Sequence, residues 1–154
     1  MLGRTGSGTA WHIEDMKFFS VNYLHDGEPK YWVIVPACYE PQMRELFKKY
    51  FPDLYEECEA ADLHKNVFVV PQLLIAEGIP FKTIRQLPGE YVITFPGAFH
   101  TVVNGGTNVA EAINFATRDC TCTKGTSGVA KCTCSEKEGI EAVAESLKIY
   151  EKKP

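Results

Sequence analysis

Apolar and polar positions alternate with a period of two through much of the first three quarters of the chain. "KFFSVNYLH" and "YWVIVP" read as two strands joined by "DGEPK", where Gly27 and Pro29 supply a turn. "NVFVV", "GEYVITFP", "FHTVVN" and "NVAEAINFA" read as further strands, broken at Pro96-Gly97 and Gly105-Gly106. The period changes in "EPQMRELFKKYFP", where Met43, Leu46, Phe47 and Tyr50 recur at helical spacing between Pro41 and Pro52. "PQLLIAEGI" reads as a short helix ending near Gly78. "GIEAVAESLKIYEKK" reads as an amphipathic helix, with Ile140, Val143, Leu147 and Tyr150 on one stripe. Strands dominate and the helices are peripheral, so the pattern predicts a mainly β, antiparallel barrel or jelly roll. The expected organisation is a flexible lead-in over 1–9, a core over 10–117, a Cys-rich loop over 118–139 and a C-terminal helix over 140–154.

Composition narrows this picture without changing it. A chain of 154 residues, 45% hydrophobic and 23% charged, suits one soluble domain with a real core. A net charge of -4 carries no direct nucleic-acid signal. The apolar runs are shorter than a membrane span, and "MLGRTGSGTA" lacks the apolar core of a signal peptide. An intracellular, reducing setting is therefore expected, where clustered cysteines suggest metal rather than disulfides. Four of the six cysteines form two CTC triplets, Cys120/Cys122 and Cys132/Cys134. Cys38 reads as a small buried apolar residue.

The candidate chemistry begins at "AWHIED". On a strand, His12 and Glu14 share a face, so they form either half of a metal site or a solvated polar edge. "FPGAFHTVVN" adds His100, and two histidines with one carboxylate match the facial ligand set of non-haem Fe(II) oxygenases. Zinc could take the same ligands but would do no oxygen chemistry. Lys30, just before "YWVIVP", is either a solvated lysine or, if it points inward, a cation that needs an anionic ligand.

Taken together, "AWHIEDMKFFSVNYLHDGEPKYWVIVP", "GEYVITFPGAFHTVVNGG" and "NVAEAINFAT" resemble the catalytic core of JmjC (Jumonji C) histone lysine demethylases. The resemblance covers about Gly8 to Thr117, recurs around the second CTC, and meets its motifs in order. It implies a cupin-like double-stranded β-helix and an Fe(II)- and 2-oxoglutarate-dependent dioxygenase. His12, Glu14 and His100 would be the iron ligands and catalytic residues. Lys30 would pair with the distal carboxylate of 2-oxoglutarate, and Asn22 would hydrogen-bond the cosubstrate. The implied reaction hydroxylates an N-methyl group of methyl-lysine on a histone tail peptide and releases formaldehyde. A nuclear chromatin regulator is the implied setting. The glutamate at position 14 tilts the resemblance toward demethylases, since JmjC-like protein hydroxylases often carry aspartate there.

The resemblance also implies a structural Zn(II) held by Cys58, His64, Cys132 and Cys134, a closed Cys3His set. "VAKCTC" fits the family's flanking residues better than the first triplet, with Cys120/Cys122 as the alternative. The sequence departs from the family at three places. With few residues ahead of His12, the N-terminal partner domain and early strands are expected to be missing, together with a tyrosine that also binds the cosubstrate carboxylate. Thr9 stands where an aromatic residue is usual. Ala112-Ile113 replaces a Ser-Thr pair beside the methyl group, ahead of a matching Asn114. Lys65 and Tyr23 match the family in structural or functional roles. The competing expectations are a truncated, catalytically impaired fragment with a binding or structural role, and a JmjC protein hydroxylase.

Overall fold

The computed structural model of the chain describes residues 1–118 apart from Glu59. The expected Cys-rich loop beyond Arg118, Cys120, Cys122, Cys132 and Cys134 within it, and the helix over 140–154 lie outside the described residues.

Among the described residues, eight strands and three α-helices follow one another as β1 (Leu2–Gly3), β2 (Gly8–His12), β3 (Phe19–Gly27), β4 (Lys30–Val35), α1 (Glu40–Tyr50), α2 (Pro52–Glu57), α3 (Pro71–Ala76), β5 (Lys82–Gln86), β6 (Tyr91–Thr94), β7 (Phe99–Asn104) and β8 (Asn108–Phe115). The strands form two four-stranded antiparallel sheets, ordered β1-β8-β3-β6 and β2-β7-β4-β5. Apart from β4 and β5, each strand is followed by one in the opposite sheet. This is a cupin-like jelly roll, and its inward faces enclose the cavity described below. The turn at Gly27–Pro29 thus carries the chain between sheets rather than closing a hairpin. Gly27 has φ 96°, and a side chain there would collide with the Thr107 carbonyl, so glycine is required at that corner.

Period-two alternation divides β7 between two environments. Phe99 faces outward onto α1, where Phe47 meets it edge-on at 5.5 Å between ring centroids. Trp11, Val35, Met43, Leu46, Val67, Leu74 and Ile79 complete this buried apolar layer behind the sheet. Each large side chain removed from water there contributes roughly 1.5–3 kcal/mol. His100, Val102 and Asn104 face the other way, into the space between the sheets. The helices therefore clamp one sheet from behind, and the space between the sheets holds polar groups beside a small apolar cluster of Trp32, Val92 and Val102.

Three expectations are corrected, and one strand had gone unread. Residues read as a flexible lead-in are paired: Leu2 and Gly3 lie opposite Val109 and Asn108, and Gly8 opposite Val103. "NVFVV" forms no strand, although Val67 and Val69 carbonyls accept hydrogen bonds from the backbone and indole N–H of Trp11. β5 escaped the sequence reading because it is an edge strand with four exposed residues, and its one buried residue, Gln86, is polar. Cys38 is exposed, since it sits in a short 3-10 turn at Ala37–Tyr39 just after Pro36 rather than in the strand. No helix among the described residues is long and apolar enough to cross a membrane.

Candidate metal centre and adjoining cavity

His12 closes β2 directly opposite His100 of β7, and the two rings lie 4.1 Å apart between centroids. Each ring is oriented by its own backbone. Nδ1 of His12 lies 2.8 Å from the Ala10 carbonyl oxygen, and Nδ1 of His100 lies 3.1 Å from that of Ala98. A carbonyl only accepts, so each Nδ1 holds the proton and each Nε2 presents a lone pair. Strand pairing ends at His12, but Glu14 remains extended, with φ -60° and ψ 145°. Alternation therefore still aims its carboxylate at the histidine side.

Glu14 Oε1 lies 3.3 Å from His100 Nε2 and 3.8 Å from His12 Nε2. One ligand atom from each of the three residues falls within 4.8 Å of the others. Two lone pairs and a carboxylate oxygen converging in this way repel one another unless a proton or a cation lies between them. The donor set fits a divalent first-row metal, with three ligands on one side and open positions on the other. Asn114 of β8 donates to the second oxygen, Oε2, at 2.9 Å, which leaves Oε1 as the free donor. Burial opposes ionisation of Glu14, but contact with His100 and His12, whenever their Nε2 atoms carry a proton, and the hydrogen bond from Asn114 outweigh it and hold its carboxyl far below the ordinary range.

The turn that follows is strained. Met16 and Lys17 take left-handed conformations, with φ 57° and 54°. Such a conformation costs roughly 1–2 kcal/mol for each residue with a side chain. Burial of Met16 and an ion pair from Lys17 to Glu40 at 2.7 Å hold the turn in place. Lys65, also left-handed, reaches Asp15 at 3.6 Å and ties down the same turn.

A cavity of about 350 Å³ opens beside the three ligands, lined among others by Thr9, Ser20, Asn22, Lys30, Trp32, Asn104 and Ala112. Lys30, 4% exposed, opens β4 opposite Asn104, and its Nζ donates to Asn104 Oδ1 at 2.6 Å. Burial lowers its pKa, and no carboxylate among the described residues pairs with it. Asn104 lies four residues beyond His100, about 13 Å further along β7. The cavity thus runs from a cation-seeking cluster to an anion-seeking ammonium.

Asn22 sits on the facing sheet. Gln86 accepts from Trp32 Nε1 at 2.9 Å, so its amide nitrogen points to Asn22 Oδ1, at 3.2 Å. That bond occupies the Asn22 oxygen and leaves its amide N–H groups for the cavity. Gln86 and Asn104 carried no expected role in the sequence, and Asn114 was matched to the family without one. Asn104 was within reach, being two alternations from His100 on the same face. Gln86 left no signal, because its role depends on a partner strand.

The remaining expected site residues divide. Cys58 is buried and follows α2, and His64 ends a short 3-10 turn at Ala61–His64. Cys132 and Cys134 lie outside the described residues. Tyr23 faces outward, its ring 4.4 Å from that of Tyr91 between centroids.

Residues 1–115 match the family model described as "JmjC domain, hydroxylase". The chain is 46% identical over 116 residues to Lysine-specific demethylase 4D of Rattus norvegicus, a match that covers 75% of this chain and 23% of that protein. It is 45% identical over 108 residues to Probable lysine-specific demethylase 4F of Homo sapiens, covering 70% of this chain and 17% of that one. It is 44% identical over 119 residues to Lysine-specific demethylase 5B of Gallus gallus, covering 77% and 8%. The chain spans between 8% and 23% of the length of these three relatives.

Proposed function

Because the chain belongs to the JmjC domain, hydroxylase family, we propose that it is the catalytic core of an Fe(II)- and 2-oxoglutarate-dependent dioxygenase acting on methyl-lysine of histone tails. The reaction is hydroxylation of an N-methyl group followed by loss of formaldehyde. The observation that carries this reading is the polarity of the cavity, with three converging groups able to bind a metal at one end and, at the other, a buried Lys30 that no carboxylate among the described residues pairs with. A 2-oxo dicarboxylate is the complementary ligand. Its oxo acid end suits the open metal positions, and its far carboxylate suits the ammonium.

Fe(II), bound by His12, Glu14 and His100, supplies with cosubstrate and O2 the power to oxidise a C–H bond. The chain's own residues hold the parts in register. The carbonyls of Ala10 and Ala98 keep both Nε2 atoms free to bind metal. Asn114 keeps Glu14 presenting one oxygen. Asn22 offers amide N–H groups to the cosubstrate, and Lys30 holds its carboxylate. Ala112 gives the cavity wall a methyl group in place of a hydroxyl. Because a C–H bond is attacked, no nitrogen lone pair is required, and trimethyl-lysine is an admissible substrate.

A structural Zn(II) on Cys58, His64, Cys132 and Cys134 belongs to the same reading, as does a nuclear location on chromatin. The names of the relatives, all lysine-specific demethylases, support the substrate class. The test is to incubate the chain with Fe(II), 2-oxoglutarate, O2 and histone-tail peptides bearing trimethyl-lysine. Succinate and formaldehyde should form together, with the peptide lighter by 14 Da per turnover, about one CH2. A hydroxylated peptide without formaldehyde would make the chain a protein hydroxylase. Metal and 2-oxoglutarate uptake without any turnover would leave it a binding fragment. For zinc, elemental analysis should find one equivalent that Cys58→Ala removes, with loss of thermal stability.

A further inference from the structure

We propose that Asn104 is a positioning residue that presents the Lys30 ammonium to the cosubstrate, so that carboxylate affinity depends on an asparagine pair as well as on the lysine. The inference rests on the proposed 2-oxoglutarate chemistry and deepens it. Asn104 makes hydrogen bonds on both sides of its amide. Its Oδ1 accepts from Lys30 Nζ at 2.6 Å and from Asn108 Nδ2 at 3.0 Å. Its Nδ2 donates to the Ser7 carbonyl and to Ser7 Oγ, both at 3.0 Å. Donors on one side and acceptors on the other admit a single amide orientation, with the oxygen on Lys30.

Asn108 is fixed in turn by donating to the Glu28 carbonyl at 3.1 Å. β1 crosses directly over the pair. A Cβ on Gly3 would collide with Asn108 Oδ1 and lie 2.8 Å from Asn104 Cγ. The pair is thus clamped between the segment leading into β2 and the turn leading into β4. Only one of the three ammonium hydrogens is used by Asn104, and the others remain for an anion. A buried lysine without such a hold would spread over several rotamers, each costing entropy on binding.

The test compares Asn104→Leu and Asn104→Asp with the unsubstituted chain loaded with Mn(II). It reads the affinity for 2-oxoglutarate and, separately, for the metal. Asn104→Leu should weaken 2-oxoglutarate binding about tenfold, the scale of one charge-assisted hydrogen bond lost, with metal affinity unchanged. Asn104→Asp keeps the shape and the contact to Lys30 but gives up the two donations to Ser7 and neutralises the lysine, and it should abolish 2-oxoglutarate binding while metal still binds. A merely structural asparagine would lower metal and 2-oxoglutarate affinity together, so equal losses of both, or wild-type 2-oxoglutarate affinity in either variant, overturn the inference. Failure of the underlying reading is seen elsewhere, as an unsubstituted chain that takes up metal but no 2-oxoglutarate.

Discussion

The two ends of the cavity lack opposite things. Around Glu14 Oε1, two imidazole lone pairs and a carboxylate gather with no resident positive charge. At Lys30 a positive charge is buried with no carboxylate beside it among the described residues. Each end alone would be a destabilising feature, since uncompensated charge in a dry interior is costly. Together they describe a ligand with a metal at one end and an anion at the other. They are also built differently. The metal end depends on cross-strand register between β2 and β7 plus one unpaired residue, Glu14. The lysine end depends on a side-chain network joining β4, β7, β8 and the segment before β2.

The sharpest way to break the contrast is at the metal. His100→Ala should reduce Mn(II) or Co(II) affinity at least about 100-fold and abolish turnover, because two ligands cannot enclose the ion. Calorimetric titration showing near-normal affinity would dispose of the proposed centre. Lys30→Met comes next. It should raise the KM for 2-oxoglutarate about 30-fold or more while sparing metal affinity, given that a charge-assisted pair is lost.

The same lysine makes a pH prediction. Its pKa is lowered by burial, so the folded chain holds that proton less tightly than the unfolded chain does. Stability without cosubstrate should rise as pH climbs through the folded pKa and level off above the ordinary lysine value. Lys30→Met should flatten that dependence without lowering Tm at neutral pH. Thermal melts that drop by several degrees would show that the ammonium stabilises the empty fold.

Asn114→Ala should cost about tenfold in metal affinity, the scale of an outer partner that orients a ligand, and should leave 2-oxoglutarate affinity at fixed metal occupancy unchanged. An effect as large as that of His100→Ala would assign Asn114 a direct role. The smallest effect is expected from Gln86→Leu. Freeing the Asn22 amide to rotate should raise the KM for 2-oxoglutarate about threefold, the scale of one neutral hydrogen bond, with Mn(II) affinity unchanged.

How much of this was legible beforehand differs residue by residue. Phe99, His100, Val102 and Asn104 show why strand alternation is readable: one face of β7 packs α1 and the other lines the cavity. The α1 stripe of Met43, Leu46 and Phe47 was readable for the same reason, and these side chains are buried as the helical period requires. "KTIRQ" shows the opposite case. An edge strand with exposed residues carries no alternation, because nothing behind it demands an apolar face. The strand at Leu2–Gly3 was hidden too, since two residues cannot display a period.

From the order of residues alone came the periods, the turn at Gly27, the types of the ligand-bearing side chains and the family resemblance of their motifs. These are local properties, set by alternation and by which atoms each residue carries. Only the folded chain decided that His12 stands opposite His100, that Asn114 takes one oxygen of Glu14, and that Asn104 rather than a carboxylate meets Lys30. Each of those contacts joins positions more than seventy residues apart. Partnerships of that kind depend on strand register and sheet order, which a single stretch of sequence does not contain.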